Sequence, residues 1–238
     1  MACPKQVKTR IAAALLLALL LPFPAARAIS EAPTASELLS LVRLNETAQN
    51  HDFNGRLQVN GETKIVIPFR LSMRGSTIIY QLTNPPEAFV LHLLEKGARL
   101  NRVIGSGKTE KITDVKLDDL VRGTDISYED LSLKFLYWNN ANVEKEQEHL
   151  MTRTCWIVQA VPSSKSESQY DRVRLWIEST GGLLQAECYA GGKLIRRFKV
   201  TSVQAAHDTA GYILKSMRIQ RMDESGKDRP PTQLFLEQ

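Results

Sequence analysis

The sequence holds little of what a metal or redox enzyme needs. Among 238 residues there are 4 histidines and 3 cysteines. His51, His92, His149 and His207 are scattered, and none has a second ligand at metal spacing. No G-x-S-x-G nucleophile elbow occurs. GSGKT at 105–109 ends like a phosphate-binding loop, but Arg102 stands where that loop requires glycine, and the segment that follows is short and strand-like. We read it as a hairpin turn. No metal and no cofactor is expected. Internal repeats, low-complexity tracts and long linkers are absent as well.

An excess of one charge is also missing once the first 28 residues are set aside. That segment has a basic front end (Lys5, Lys8, Arg10), an apolar run from Ile11 to Leu21, and Ala26-Arg27-Ala28 with small residues where a signal peptidase reads. This is the layout of a cleaved secretory leader, and the run is short for a membrane span. Cys3 precedes the run, so it is no lipoprotein anchor at a cleavage point. The leader takes four of the 31 basic residues and no acid, which leaves 27 bases against 26 acids. A basic surface for nucleic acid is not supported at that balance. The expectation is an exported protein of one domain, residues 29–238, not integral to the membrane. Cys155 and Cys188 remain. An even pair in an oxidising compartment suggests a disulfide, with two buried thiols as the alternative.

What is present is mostly strand. A short helix comes first: Thr34 and Glu37 have capping-box spacing, and Leu38, Leu41 and Val42 share a face over 34–44. From Lys64 to Met73 the chain alternates, with Ile65, Ile67, Phe69, Leu71 and Met73 on one side. Strand-like runs follow at 76–82, 88–96, 98–105, 113–117, 153–161, 171–179, 183–190, 193–203 and 211–222. Short polar turns join several of them, which makes successive strands antiparallel neighbours. The run AFVLHLLEK carries Phe89, Leu91 and Leu93 on one face and Val90 and Leu94 on the other, so both faces should be covered. Arg172, Arg174 and 196–199 (RRFK) read as wet strand faces, with anionic headgroups as a minor alternative.

The stretch GTDISYEDL at 123–131 is the densest in chemistry. Ser127 and Asp130 have near-capping-box spacing, Ile126 and Leu131 form a hydrophobic staple, and Glu129 and Asp130 fall in the first turn, where the helix dipole favours acids. A helix over 127–138 then places Tyr128, Leu131, Phe135 and Trp138 on one face, suited to lie across an apolar surface. A carboxylate site using Asp125, Glu129 and Asp130 is the competing reading.

This stretch, followed by an aromatic-rich helix, resembles the outer-membrane lipoprotein-sorting proteins of the LolA-like superfamily. The leader, the early helix, the strand at 67–82 and the strand ladder from RTCWIVQAV to LIRRFKV extend the likeness over most of the remaining chain. The resemblance implies a mainly β (α+β) fold: a large curved antiparallel sheet forming an unclosed half-barrel, with helices covering its concave apolar face. It implies a non-enzymatic periplasmic carrier that shields acyl chains of lipoproteins or lipids and passes them from an inner-membrane donor to an outer-membrane acceptor. In those carriers an arginine of the early strands helps hold the lid. Arg70, after Pro68 and Phe69, is the loose counterpart here, because the longer motif around that arginine is missing.

The residues expected to meet lipid are Ile65, Ile67, Phe69, Leu71, Phe89 and Leu91 on the wall, and Leu131, Phe135 and Trp138 on a lid capped by Ser127 and Asp130. Two other readings stand beside the carrier. One is an envelope protein-interaction module with a filled core. The other is a hydrolase built on the three acids.

Overall fold

The computed structural model describes residues 32–48, 50–61, 64–104, 108–112, 114–205, 212–223, 225 and 229–237. The leader expected over 1–28 lies outside the described residues.

Helix α1 (Ala35–Thr47) is followed by β1 (Asn50–Asn60), β2 (Lys64–Arg74), β3 (Thr77–Leu82), β4 (Glu87–Leu94), β5 (Gly97–Ile104) and β6 (Lys108–Lys111). A connecting segment then carries α2 (Asp114–Leu117), α3 (Tyr128–Ser132) and a 3₁₀ turn (Lys134–Tyr137). The chain continues through β7 (Asn140–Leu150), β8 (Arg153–Val161), β9 (Arg172–Glu178), β10 (Leu183–Ala190), β11 (Lys193–Ala205), β12 (Tyr212–Arg221) and β13 (Thr232–Glu237). Among the described residues these strands form one antiparallel sheet, in the order β6-β5-β4-β3-β2-β1-β13-β12-β11-β10-β9-β8-β7. The last strand joins two meanders, and β6 and β7 are left as free edges. The sheet is therefore an open half-barrel, as the sequence implied.

Strand alternation decides what faces inward. Ile67, Phe69, Leu71 and Met73 of β2 are buried, and the same parity continues in Ile78, Tyr80 and Leu82 and in Phe89, Leu91 and Leu93. Ile65 shares that parity but lies near the strand's end and is 42% exposed, so it is no part of the inner wall's buried core. The second face of β4 is not covered either: Val90 is half-buried and Leu94 is exposed.

Other expectations change as well. The run at 113–117 is not a strand; Asp114–Leu117 is one helical turn. Three further strands escaped sequence reading. β1 places Gly55 where the alternation needs an apolar residue. β7 is a charged edge, which protects the free strand from pairing with another chain. β13 is short. The helix expected over 127–138 is broken in two, because Leu133 adopts a left-handed conformation (φ 52°) between α3 and the 3₁₀ turn. The turn expected at GSGKT falls on 105–107, outside the described residues; β5 and β6 on either side of it pair antiparallel.

Helix α1 packs on β7, β8 and the 3₁₀ turn. Its Thr34–Glu37 capping box forms as expected. Gly181, at φ +86°, lets the β9–β10 turn approach so closely that a Cβ there would meet Asn45 Nδ2 at 2.8 Å.

The cysteines do not bridge. Cys155 and Cys188 are both buried free thiols. Cys188 lies opposite Val173, which lies opposite Ala160, five residues from Cys155 along β8. Two strand spacings and five residues put the pair on the order of 15 Å or more apart, far beyond disulfide reach. Burial pushes the Cys155 thiol up to about 12 and raises Cys188 as well.

Candidate functional site: a latched cap over the apolar face

The connecting segment 114–138 lies as a cap over the concave face. Arg122 (φ 48°) and Gly123 (φ 73°) turn the chain sharply, and Leu120 bridges back to Ser127. Thr124 closes the loop by donating to the Val121 carbonyl (2.7 Å) and accepting from the Ile126 amide (3.2 Å). Asp125 anchors it to the start of β13: its Oδ2 accepts from the Thr232 amide (2.9 Å) and hydroxyl (2.8 Å).

The capping box of α3 is complete. Ser127 Oγ accepts from the Asp130 amide, and Asp130 Oδ2 accepts from the Ser127 amide at 2.7 Å. The same carboxylate does a second job. Tyr170 OH donates to its Oδ1 (2.6 Å), and Arg196 Nη1 donates to its Oδ2 (2.5 Å), to Ser127 Oγ (3.0 Å) and to Tyr170 OH. Asp130 is fully buried and Arg196 is 3% exposed. Burial pulls the Arg196 guanidinium down, but Asp130 outweighs it and the net shift is upward. Arg196 is therefore a buried latch from β11, not a wet-face residue. Its parity with Phe198 and Val200 on KLIRRFKV is the signal that could have found it. Arg70, the expected counterpart, sits on the exposed side of β2, 3.3 Å from Asp52.

A second tie comes from α1. Arg43 donates to the Leu136 carbonyl and stacks 5.2 Å from the Tyr137 ring centroid. The third acid, Glu129, accepts from Ser168 Oγ and from the Gln169 amide (3.1 Å). Burial raises its pKa. Each of Asp125, Glu129 and Asp130 thus has its own structural partners.

Beneath the cap, Leu57, Phe69, Tyr80, Leu82 and Phe89 of the sheet meet Val121, Ile126 and Leu131 around an apolar void of about 10 Å³. Three of the nine residues expected to meet lipid come together there: Phe69, Phe89 and Leu131. Ile67, Leu71, Leu91, Phe135 and Trp138 are buried in the surrounding core without lining the void, and Ile65 lies outside. An open cleft of about 670 Å³ runs over the middle of β1 and β2 and the adjoining ends of β3, β4 and β5, and shares Phe69 and Leu82 with the void. These two side chains are the partition between interior and solvent. Gly55 keeps Phe69 in place, since a Cβ at Gly55 would lie 2.5 Å from its ring.

Three buried polar side chains in this core lack partners among the described residues: Glu46, Tyr80 and Trp138. Burial raises the Glu46 carboxyl well above the usual range, and raises Tyr80, which also feels Glu46.

Solved structures share this architecture. A DUF1329 family protein from Desulfovibrio piger superposes with a TM-score of 0.65 at 15% identity, covering 85% of this chain and 90% of that one. An outer membrane lipoprotein-sorting protein domain from Vibrio parahaemolyticus gives 0.66 at 16%, covering 86% and 92%. A LolA superfamily protein from Nitrosomonas europaea gives 0.59 at 14%, covering 87% and 93%. No curated protein matches the sequence. The family model that matches carries the description "Uncharacterized protein" and spans residues 105–229, a segment that holds the cap and all four latch residues. That segment is more than half of the chain, so the chain belongs to this family, and its fold is LolA-like.

Proposed function

We propose that the protein is a periplasmic carrier that takes acyl chains of lipoproteins or lipids into the space now filled by the cap. The observation that carries this reading is the construction of the cap. It covers the apolar face with Val121, Ile126 and Leu131, yet it is held by a discrete polar latch, Arg196 with Asp130, Ser127 and Tyr170. A void of about 10 Å³ is too small for a hydrocarbon chain. Loading therefore requires the cap to lift, and the acyl chain to replace cap side chains against Phe69 and Phe89. Each buried methylene contributes about 0.8 kcal/mol, so a long chain offsets the exposure of a few cap residues. Cargo would come from an inner-membrane donor and leave to an outer-membrane acceptor that shifts the cap toward open or closed. No helix among the described residues is long and apolar enough to cross a membrane.

The test is binding of a fluorescent fatty acid by the wild-type protein and by Phe69→Asp and Leu131→Asp, with folding checked by circular dichroism. The reading expects uptake by the wild type and its loss in folded variants. Unchanged uptake in both would sink it. The second reading, an envelope interaction module, is favoured by the filled interior; it expects no uptake in any of the three.

A further inference from the structure

The arginines that alternation assigns to wet faces turn out to be occupied. Arg174 binds Glu144 (2.6 Å), Arg197 binds Glu187 (2.8 Å), Arg196 is the latch, and Arg172 stacks 4.1 Å from the Tyr189 ring centroid. Another group of exposed cations lies beside the cap. A pocket of about 270 Å³ opens between the β4–β5 turn, the free edge strand β6 and the 3₁₀ turn of the cap. Lys96, Arg99 and Lys111 stand in its wall with Lys134 of the cap, and no carboxylate lines it among the described residues. Glu95 and Glu110, the chain neighbours of two of these lysines, lie outside the lining. Lys96, Arg99 and Lys111 are exposed and form no ion pair among the described residues. Arg99 and Lys111 lie diagonally on adjacent strands, since Lys111 is opposite Asn101. Between the cations the wall is apolar: Leu100 and Leu117 are buried, while Leu94 is 48% exposed.

We infer that this pocket docks the protein on a bilayer by holding the phosphate headgroup of an anionic phospholipid. Three exposed cations, Lys96, Arg99 and Lys111, with no carboxylate among the described lining residues, favour an anion, and their hydrogen-bond donors suit phosphate oxygens. Exposed Leu94 and the apolar wall suit the glycerol and upper acyl region below a headgroup, which a free phosphate would leave unused. Lys134 belongs to the cap segment, so docking brings the lipid surface beside the cap. The inference does not rest on the carrier reading: surface binding requires neither cap opening nor a space for acyl chains.

The test is co-sedimentation of the protein with vesicles of phosphatidylcholine alone and of phosphatidylcholine mixed with phosphatidylglycerol. Three chains are compared: wild type, Lys96→Glu/Arg99→Glu/Lys111→Glu, and Lys199→Glu/Lys215→Glu/Arg218→Glu. The last set changes net charge equally, on exposed positions of β11 and β12 that line none of the pockets described above. The wild type should bind only the mixed vesicles. The pocket triple should lose about tenfold or more, and the control triple should stay near wild type. The neutral set Lys96→Gln/Arg99→Gln/Lys111→Gln should fall between. Equal loss in both charge-reversed triples would show bulk attraction and overturn the inference. So would no loss in the pocket triple, equal binding to both vesicle types, or displacement by millimolar inorganic phosphate at constant ionic strength. Fatty-acid uptake measured on the same proteins keeps this result separate from the fate of the carrier reading.

Discussion

The two wings of the sheet differ in how their outer faces are built. In the β7–β11 wing the outer face is a closed polar layer. Glu144, Arg174 and Glu187 form linked ion pairs, Trp176 donates to Glu148 (2.8 Å), and Arg174 lies 4.9 Å from the Trp176 ring centroid. The β1–β5 wing has ion pairs too, Asp52 with Arg70 and Arg74 and Glu87 with Arg102 and Arg122, but Arg70, Arg74 and Arg102 are about half exposed, so the layer is more open. This wing carries the open cleft, exposed Val66 and Leu94, and a basic-rimmed pocket at its edge. The inner faces differ in the opposite sense. The β1–β4 wall is a smooth apolar surface, while the far wing sends Arg196 and Tyr170 inward to grip the cap. One wing therefore supplies the residues that hold the cap, and the other carries the cleft that is open to solvent.

Breaking the latch should have the largest effect. Arg196→Ala leaves Asp130 buried and uncompensated, which costs about 3–5 kcal/mol when a buried pair loses one partner. Chemical denaturation should show that loss, and amide exchange should rise across 120–138 ahead of the β9–β11 core. The double change Arg196→Met/Asp130→Leu should recover only part of the stability, because it removes both charges but leaves the Ser127 amide and the Tyr170 hydroxyl unpaired.

Next comes the partition of the open wing. Gly55→Ala drives a methyl into Phe69 and the Phe235 carbonyl. Overpacking of this kind costs about 1–3 kcal/mol. The methyl should also displace the Phe69 ring, so fatty-acid uptake should change more than for a matched destabilising change in the far wing.

A pH-dependent difference should follow from Glu46. Burial favours its neutral form, so the folded state holds a proton that the unfolded chain releases. The stability contribution is present below the ordinary carboxylate range and is lost as pH rises from there up through the raised folded value. Glu46→Gln should flatten that fall. A urea series across pH checks it, and equal slopes in the two proteins would remove the assignment.

The smallest effect belongs to the outer ladder. Glu144 and Arg174 are each about a quarter exposed, so Arg174→Ala should cost about 1 kcal/mol or less in thermal unfolding, with the cap's exchange unaltered.

The sequence made the open wing's inner wall legible because alternation there is clean: Ile67, Phe69 and Leu71 are buried as their parity predicts. The capping box of α3 was legible for the same reason, since it is local. Long-range pairings were not. Nothing near Asp130 names Arg196, which lies 66 residues away and arrives through β11. β1 and β7 were hidden because glycine and charge replace apolar residues where a neighbouring ring or an outer ion pair does the packing. The continuous 127–138 helix failed at Leu133, whose left-handed backbone no propensity suggests.

Native mass spectrometry of the protein, purified without detergent from the cells that make it, tests the central claim most directly. The cap account predicts bound mass matching an acylated peptide or phospholipid, and a smaller bound fraction when Phe69→Asp is purified in the same way. A ligand-free mass, together with no uptake of a fluorescent fatty acid by the wild type, would contradict it and make the filled interior the protein's permanent core.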